Sequence, residues 1–331
     1  MKKYIALTSL CLVWALAFTG CTKYGPKTGG VAVFACDETM ENIIQQEIEV
    51  FEDQYPQQNI LPYYISEHDC IDSLLHGHIQ GAVITRQLTE KELSYLKSQK
   101  RTPYQQQIAV DAIALVVNPS NPIENLSVGE LGEILSGQVT SWEDVVPGGE
   151  GNIMVVFDNQ GSSTANYMRT AVLDGKPFGE NVYAEDTSSM VFDVVKKNKN
   201  AIGVIGVAWL TNDLKHPKLE IKERVEMLER EDTTLLETTS DDFINDVKIV
   251  PVRTDDSLVA YYPYQQNIYD GTYPLYRPIY MVSLGVPGTT AHSFYSFVTG
   301  KLGQKLILTT GILPARLKRW EVWDTGAGES K

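Results

Sequence analysis

The chain has 331 residues, 43% hydrophobic and 21% charged, which is room for one large or two medium globular domains and excludes disordered, collagenous and cysteine-framework classes. Its formal net charge of −14 argues against a nucleic-acid partner, which needs a basic stripe. It does not exclude a small anion, because a local cluster of donors overrides the global field.

Residues 1–20 read as a secretory signal, with Lys2 and Lys3 ahead of an apolar run from Ile5 to Phe18. The run ends in Phe18-Thr19-Gly20-Cys21, which resembles a bacterial lipobox, although Phe18 stands where that pattern prefers Leu. The resemblance implies acylation of Cys21, a tether over 21–30 and a lipid-anchored protein of the cell envelope, facing the periplasm or the cell surface. The plain alternatives are an ordinary signal peptide or a short membrane anchor. Loss of Lys2 and Lys3 leaves 26 basic against 42 acidic residues, a mature charge of −16. Of the four cysteines, Cys36 and Cys70 remain, in a compartment where disulfides form. They are either a disulfide, the favoured reading, or two buried thiols.

Val31–Ala35 is an apolar strand, Cys36–Thr39 a turn, and Glu41–Tyr55 a helix carrying Ile43, Ile44, Ile48 and Phe51 at helical spacing. A strand over Asn59–Ile65 leads through Ser66–Asp69 to a short helix starting at Ile71. Gly81–Thr85 is a third strand and Thr89–Lys100 a polar helix. This alternation predicts a parallel sheet with right-handed crossovers, whose ligand sites lie beyond the carboxyl ends of the strands. Ile108–Asn118 is an apolar strand long enough to leave one domain and enter another. Val128–Leu135 is a helix, Ile153–Phe157 a strand, Ala165–Leu173 and Ser188–Lys197 helices. Ala201–Val207 is a strand continued by Ala208–Leu210, and Val247–Val252 another. The charged segment 213–246 reads as a solvated insertion, and Ser293–Thr309 as one amphipathic closing helix.

Gly161-Ser162-Ser163-Thr164 joins an apolar strand to a helix. Free N–H groups and the helix dipole favour an anion there, and three hydroxyls add donors. The plain alternative is an ordinary Ser or Thr helix cap.

Several stretches together resemble the phosphate-binding proteins of bacterial phosphate ABC transporters, in the type II periplasmic binding-protein superfamily. They are Asp111–Asn118, Leu126–Ile134 with Gly137 and Ser141-Trp142, Gly161–Thr164, Ala201–Gly203 with Gly206, Tyr273–Leu275 with Arg277-Pro278, and Phe297-Val298 with Gly303–Lys305 and Gly311. The resemblance implies an α/β fold of two lobes, each a mainly parallel sheet flanked by helices, with the ligand in the cleft between them. Lobe one would comprise 31–112 and 253–320, lobe two 113–252, and 321–331 a tail. It implies capture of phosphate or a related oxyanion by a monomer that delivers it to a transporter permease, with no cofactor, no metal and no chemical step.

Carried onto this sequence, the family pattern makes Ser162, Ser163 and Thr164 donors from lobe two, with Thr39, Ser66 and Thr85 from lobe one. Arg86 would supply a bidentate charge, unless it pairs with Glu90 as a surface arginine. The pattern also departs: Asp158 stands where the family has an arginine, and the first two loops carry Asp37, Glu38, Glu67 and Asp69. Glu38, Glu67 or Asp158 would accept the proton of a monoprotonated phosphate, which sulfate lacks. Together these carboxylates repel an anion unless paired. The ligand is then phosphate, another oxyanion or an uncharged molecule, and phosphate is the reading adopted; the alternative is a surface lipoprotein with a degenerate site, acting as a sensor or scaffold. His76 and His78 lack a third metal ligand, Ser94–Lys97 lacks companion motifs, and the consecutive His68-Asp69-Cys70 cannot converge on one substrate atom as a triad must.

Overall fold

Alternation along the first strand divides the first half of the fold. In β1 (Gly30–Asp37), Ala32, Phe34 and Cys36 enter one apolar cluster, and Ala35 enters another on the opposite face. The computed structural model describes residues 29–159, 161–210 and 246–316, with 223, 225–227 and 230. The expected signal segment, most of the tether, most of the insertion and the tail lie outside the described residues.

Helix α1 (Glu41–Gln54) buries Ile43, Ile44, Ile48 and Phe51, and β2 (Gln58–Ile65) then pairs parallel with β1. Helix α2 (Glu67–His76) stops at Gly77, whose φ of 78° is the left-handed cap glycine tolerates. Strand β3 (Gly81–Ile84) pairs parallel with the other edge of β1. Gly81 is set by contact, since a Cβ there would lie 2.1 Å from the Phe34 ring.

After α3 (Glu90–Ser98) comes β4 (Tyr104–Val117), 14 residues long. Beyond it lie β5 (Leu126–Ser127), α4 (Val128–Leu135), β6 (Met154–Phe157), α5 (Ser163–Ala171), β7 (Val182–Ala184), α6 (Ser188–Lys197) and β8 (Ala201–Gly206). The last part of the chain holds β9 (Lys248–Val250), β10 (Val252–Arg253), α7 (Gln265–Tyr269), β11 (Tyr276–Ser283), α8 (Thr290–Val298), α9 (Lys301–Thr309) and β12 (Leu313–Pro314). The strand order is β2-β1-β3-β11-β4-β8-β6-β7.

Strand β4 belongs to both halves. Tyr104–Ala112 pairs antiparallel with β11, whereas Ile113–Val117 pairs antiparallel with β8 and β9. Ile108 and Ala109 pack with Phe34, Phe51 and Phe294; Ala112–Val117 pack with Trp142, Phe157 and Val191. One strand therefore anchors two cores, and the protein is a two-lobe α/β fold with a seam crossing the middle of β4.

Four expectations are corrected. Cys36 and Cys70 are free buried thiols, not a disulfide. The alternation of β1 sends Cys36 to one face of the sheet, while Cys70 packs on the other with Ala35 and Ile84. The closing helix is two helices, α8 and α9, broken at Thr299-Gly300. Gly303 lets them meet closely, because a Cβ there would come within 2.6 Å of the Phe297 carbonyl oxygen. Val207–Trp209 is a 3-10 turn that leaves the sheet to carry the Trp209 indole to the Thr39 carbonyl, at 3.0 Å. Val247–Val252 splits at Pro251, which has no N–H to continue a ladder; β10 pairs with β5 instead.

Candidate functional site

The seam between the lobes is lined by polar groups from β1, β4, β11 and the start of α5. At the end of β1, Asp37 caps the 3-10 turn Glu38–Met40 by accepting the Thr39 N–H at 3.0 Å. At the start of α5, the Ser162 hydroxyl accepts the Ala165 N–H at 3.1 Å, which places Ser163 in the first turn. Arg277 on β11 and Asp111 on β4 are register partners, so their side chains meet.

Arg277 is 1% exposed and Asp111 is fully buried. The Arg277 Nε and Nη2 donate to Asp111 Oδ2 at 3.2 and 3.1 Å. Its Nη1 donates to the Ser163 hydroxyl at 2.6 Å, and Nη2 also donates to the Thr39 hydroxyl at 3.0 Å. Both hydroxyls in turn donate to Asp37 Oδ1, from Ser163 at 2.9 Å and from Thr39 at shorter range. One buried guanidinium thus organises hydroxyls from both lobes.

Carboxylates crowd this cation. Burial pushes Asp111 above the ordinary aspartate range, opposed by the charge and hydrogen bonds of Arg277. Burial likewise raises Asp158, opposed by the Ser162 hydroxyl and Arg277 and reinforced by Asp37. Glu38 is pushed up to about 7, first by burial and then by the charges of Asp37 and Asp158. Its carboxylate accepts from the Asn159 amide across the seam.

Beside this cluster is a cleft of about 270 Å³, lined by Glu67, His68 and Arg86 from one side and Gly161, Ser163 and Arg169 from the other. Ser163 belongs both to the cleft wall and to the Arg277 network.

The expected residues divide into three groups. Thr39 and Ser163 come together around Arg277, with Glu38 and Asp158 close by. Glu67 and Arg86 line the cleft, but both are engaged. Thr85 donates its N–H and hydroxyl to Glu67 Oε1 at 2.6 and 2.8 Å. Arg86 makes a two-pronged pair with Glu92 at 2.8 and 3.0 Å, not with the expected Glu90, and pulls the Glu92 carboxyl down to about 2. Glu92 is favoured because it is already held by the capping box at Thr89. Of the rest, Ser66 bonds Asp69, Ser162 caps α5 and its hydroxyl also reaches Asp158, and the buried Thr164 hydroxyl has no partner among the described residues.

Arg277, Asp111 and Asp37 were not among the expected site residues. A legible signal existed: Asp111 stands among the apolar residues Ala109, Ala112 and Ile113 of β4, and Arg277 on β11 alternates with apolar Ile279 and Met281, and a buried charge requires a partner. His76 ends α2 and His78 follows just past Gly77; both are exposed, and their rings stack with centroids 6.1 Å apart. Among the described residues no group of three His, Cys, Asp or Glu side chains could hold a metal ion. The arrangement gathers one buried cation, two hydroxyls and several carboxylates at the seam between the lobes.

Comparison with known proteins gives a consistent picture. Residues 24–301 match a family described as the PBP superfamily domain. The phosphate-binding protein PstS of Pseudomonas aeruginosa is 23% identical over 297 residues, covering 85% of this chain and 82% of that protein. PstS of Bacillus subtilis is 30% identical over 109 residues, covering 32% of this chain and 35% of that one. Among solved structures, a Clostridium perfringens protein with bound phosphate, assigned to a phosphate ABC transporter, aligns at a TM-score of 0.65 with 20% identity, covering 87% of this chain and 100% of that one. An ABC-type phosphate transport receptor from Vibrio cholerae aligns at 0.61 with 22% identity, covering 85% and 99%.

Proposed function

The chain belongs to the PBP superfamily, and on that premise we propose that it captures an oxyanion, phosphate, between its two lobes and delivers it to the permease of an ABC transporter. The observation that carries this reading is the buried Arg277, whose guanidinium reaches the hydroxyls of Thr39 and Ser163 from opposite lobes. A desolvated oxyanion needs a cation and several hydrogen-bond donors at once, and this cluster holds both. Relatives named as phosphate-binding proteins support the choice of ligand. Arg169 at the cleft would guide the anion inward, and the ionised carboxylate of Glu38 or Asp158 would accept the proton of a monohydrogen phosphate. Lobe one is taken as 31–112 with 253–320 and lobe two as 113–252, the mature protein being a monomer anchored through acylated Cys21. Capture and release involve no chemical step.

Isothermal calorimetry of the full mature chain with inorganic phosphate tests this. Saturable binding at one site is the expected result, with sulfate binding more weakly. No heat of binding at millimolar phosphate, from protein with an intact melting transition, refutes it. A second reading, a sensor or scaffold with a degenerate site, is favoured by the surplus of carboxylates around Arg277, and that negative result would select it.

A further inference from the structure

We propose that the Asp37 carboxylate is a tethered stand-in for the oxyanion: it holds the hydroxyl protons that an incoming anion needs, so the ligand enters by displacing it. The inference rests on the oxyanion reading of this site. It follows from counting protons. The Thr39 and Ser163 hydroxyls each have a single proton to donate. Both accept from Arg277, Thr39 at 3.0 Å and Ser163 at 2.6 Å, so their acceptor sides face the cation. Both donate to Asp37 Oδ1. The same oxygen also accepts the Thr39 N–H at 3.0 Å. Three donors therefore converge on one carboxylate oxygen, as they would on an oxygen of a bound anion. An oxyanion approaching Arg277 can use these hydroxyls only if Asp37 releases them.

The other oxygen points to the same conclusion. Asp37 is fully buried, and its Oδ2 has no hydrogen-bond partner in the protein. A carboxylate is expensive to bury half-satisfied. It is held by a donor cluster suited to a small anion and supported by Arg277. Asp37 sits in lobe one and Ser163 in lobe two, 126 residues apart in sequence, so this hydrogen bond also ties the lobes. The contacts of Glu38 with Asn159 and of Trp209 with the Thr39 carbonyl cross the same seam. A ligand that replaces Asp37 inherits a bridge already in place, and its net affinity is the difference between two anions competing for one donor set.

Phosphate titrations of the full mature chain, Asp37→Asn and Asp37→Ala at one pH and ionic strength decide the matter. Asn keeps the shape of the side chain without its charge, so a folding failure of the Ala variant leaves the test intact. Both variants are expected to bind inorganic phosphate at least tenfold more tightly than the parent, and measurable binding by the variants alone would also support the inference. Equal or weaker binding by a folded variant overturns it while leaving phosphate capture standing, because Asp37 would then be a neutral bystander or an acceptor for a ligand proton. Absence of binding by all three proteins overturns the phosphate reading itself, and this inference with it.

Discussion

Arg277 and Asp111 face each other across β11 and β4 and close a buried ion pair at 3.1 Å, at the residues where one long strand passes from the first core to the second. Desolvation of both groups makes such a pair a weak source of net stability, but removal of one partner strands the other charge. Asp111→Ala should therefore destabilise the protein by about 3 kcal/mol or more. Urea denaturation checks this: the midpoint falls while the slope is unchanged.

The guanidinium fork matters as well as its charge. Lysine at position 277 would keep the cation but could not reach Asp111, Ser163 and Thr39 together with a single ammonium. Arg277→Lys should weaken phosphate binding at least tenfold, about 1.4 kcal/mol. Calorimetry against the parent chain measures it; unchanged affinity would mean that the fork does not contact the ligand.

Glu38 should make stability fall as pH rises. Burial, Asp37 and Asp158 lift its carboxyl to about 7 in the folded protein, so the folded state holds a proton that the unfolded state has already lost. That advantage is present at low pH and disappears as pH rises from the ordinary glutamate range through about 7. Asp158 and Asp111 are shifted in the same direction and add to the trend. Glu38→Gln should flatten the dependence of melting temperature on pH between 5 and 8, two values chosen to bracket roughly that window. A slope identical to the parent's would show that Glu38 is not its source.

The Cys36 and Cys70 thiols are buried, and burial pushes both well above the ordinary thiol range. A thiol reagent should label them only at the rate of unfolding, and reductant should leave the melting temperature unchanged. Rapid labelling of the native protein would contradict the packing described.

Much of the scaffold was legible from periodicity. Val128–Leu135 and Ser188–Lys197 are helices over the expected residues, and β1, β2 and β3 form the expected parallel unit. The errors have local causes. Gln105–Gln107 hid the start of β4 because polar residues there belong to a strand that only partly faces the core. The break at Thr299-Gly300 falls inside a run whose apolar spacing stays helical on both sides. In the candidate site, Ser163 carries a short-range signature, hydroxyls between a strand and a helix, whereas Thr39 enters only through the family resemblance. Arg277 carries no such short-range signature, because its partner Asp111 lies 166 residues away and only strand register unites them. Arg86 is a candidate only through the family resemblance, and its charge is spent on Glu92.

The most direct test of the central claim is a crystal structure of the mature chain grown with inorganic phosphate. The account predicts a phosphate in the seam, hydrogen-bonded to the Arg277 guanidinium and the Ser163 hydroxyl, with the Asp37 carboxylate turned away from both hydroxyls. Phosphate bound elsewhere, with Arg277, Ser163 and Asp37 still joined to one another, would contradict it.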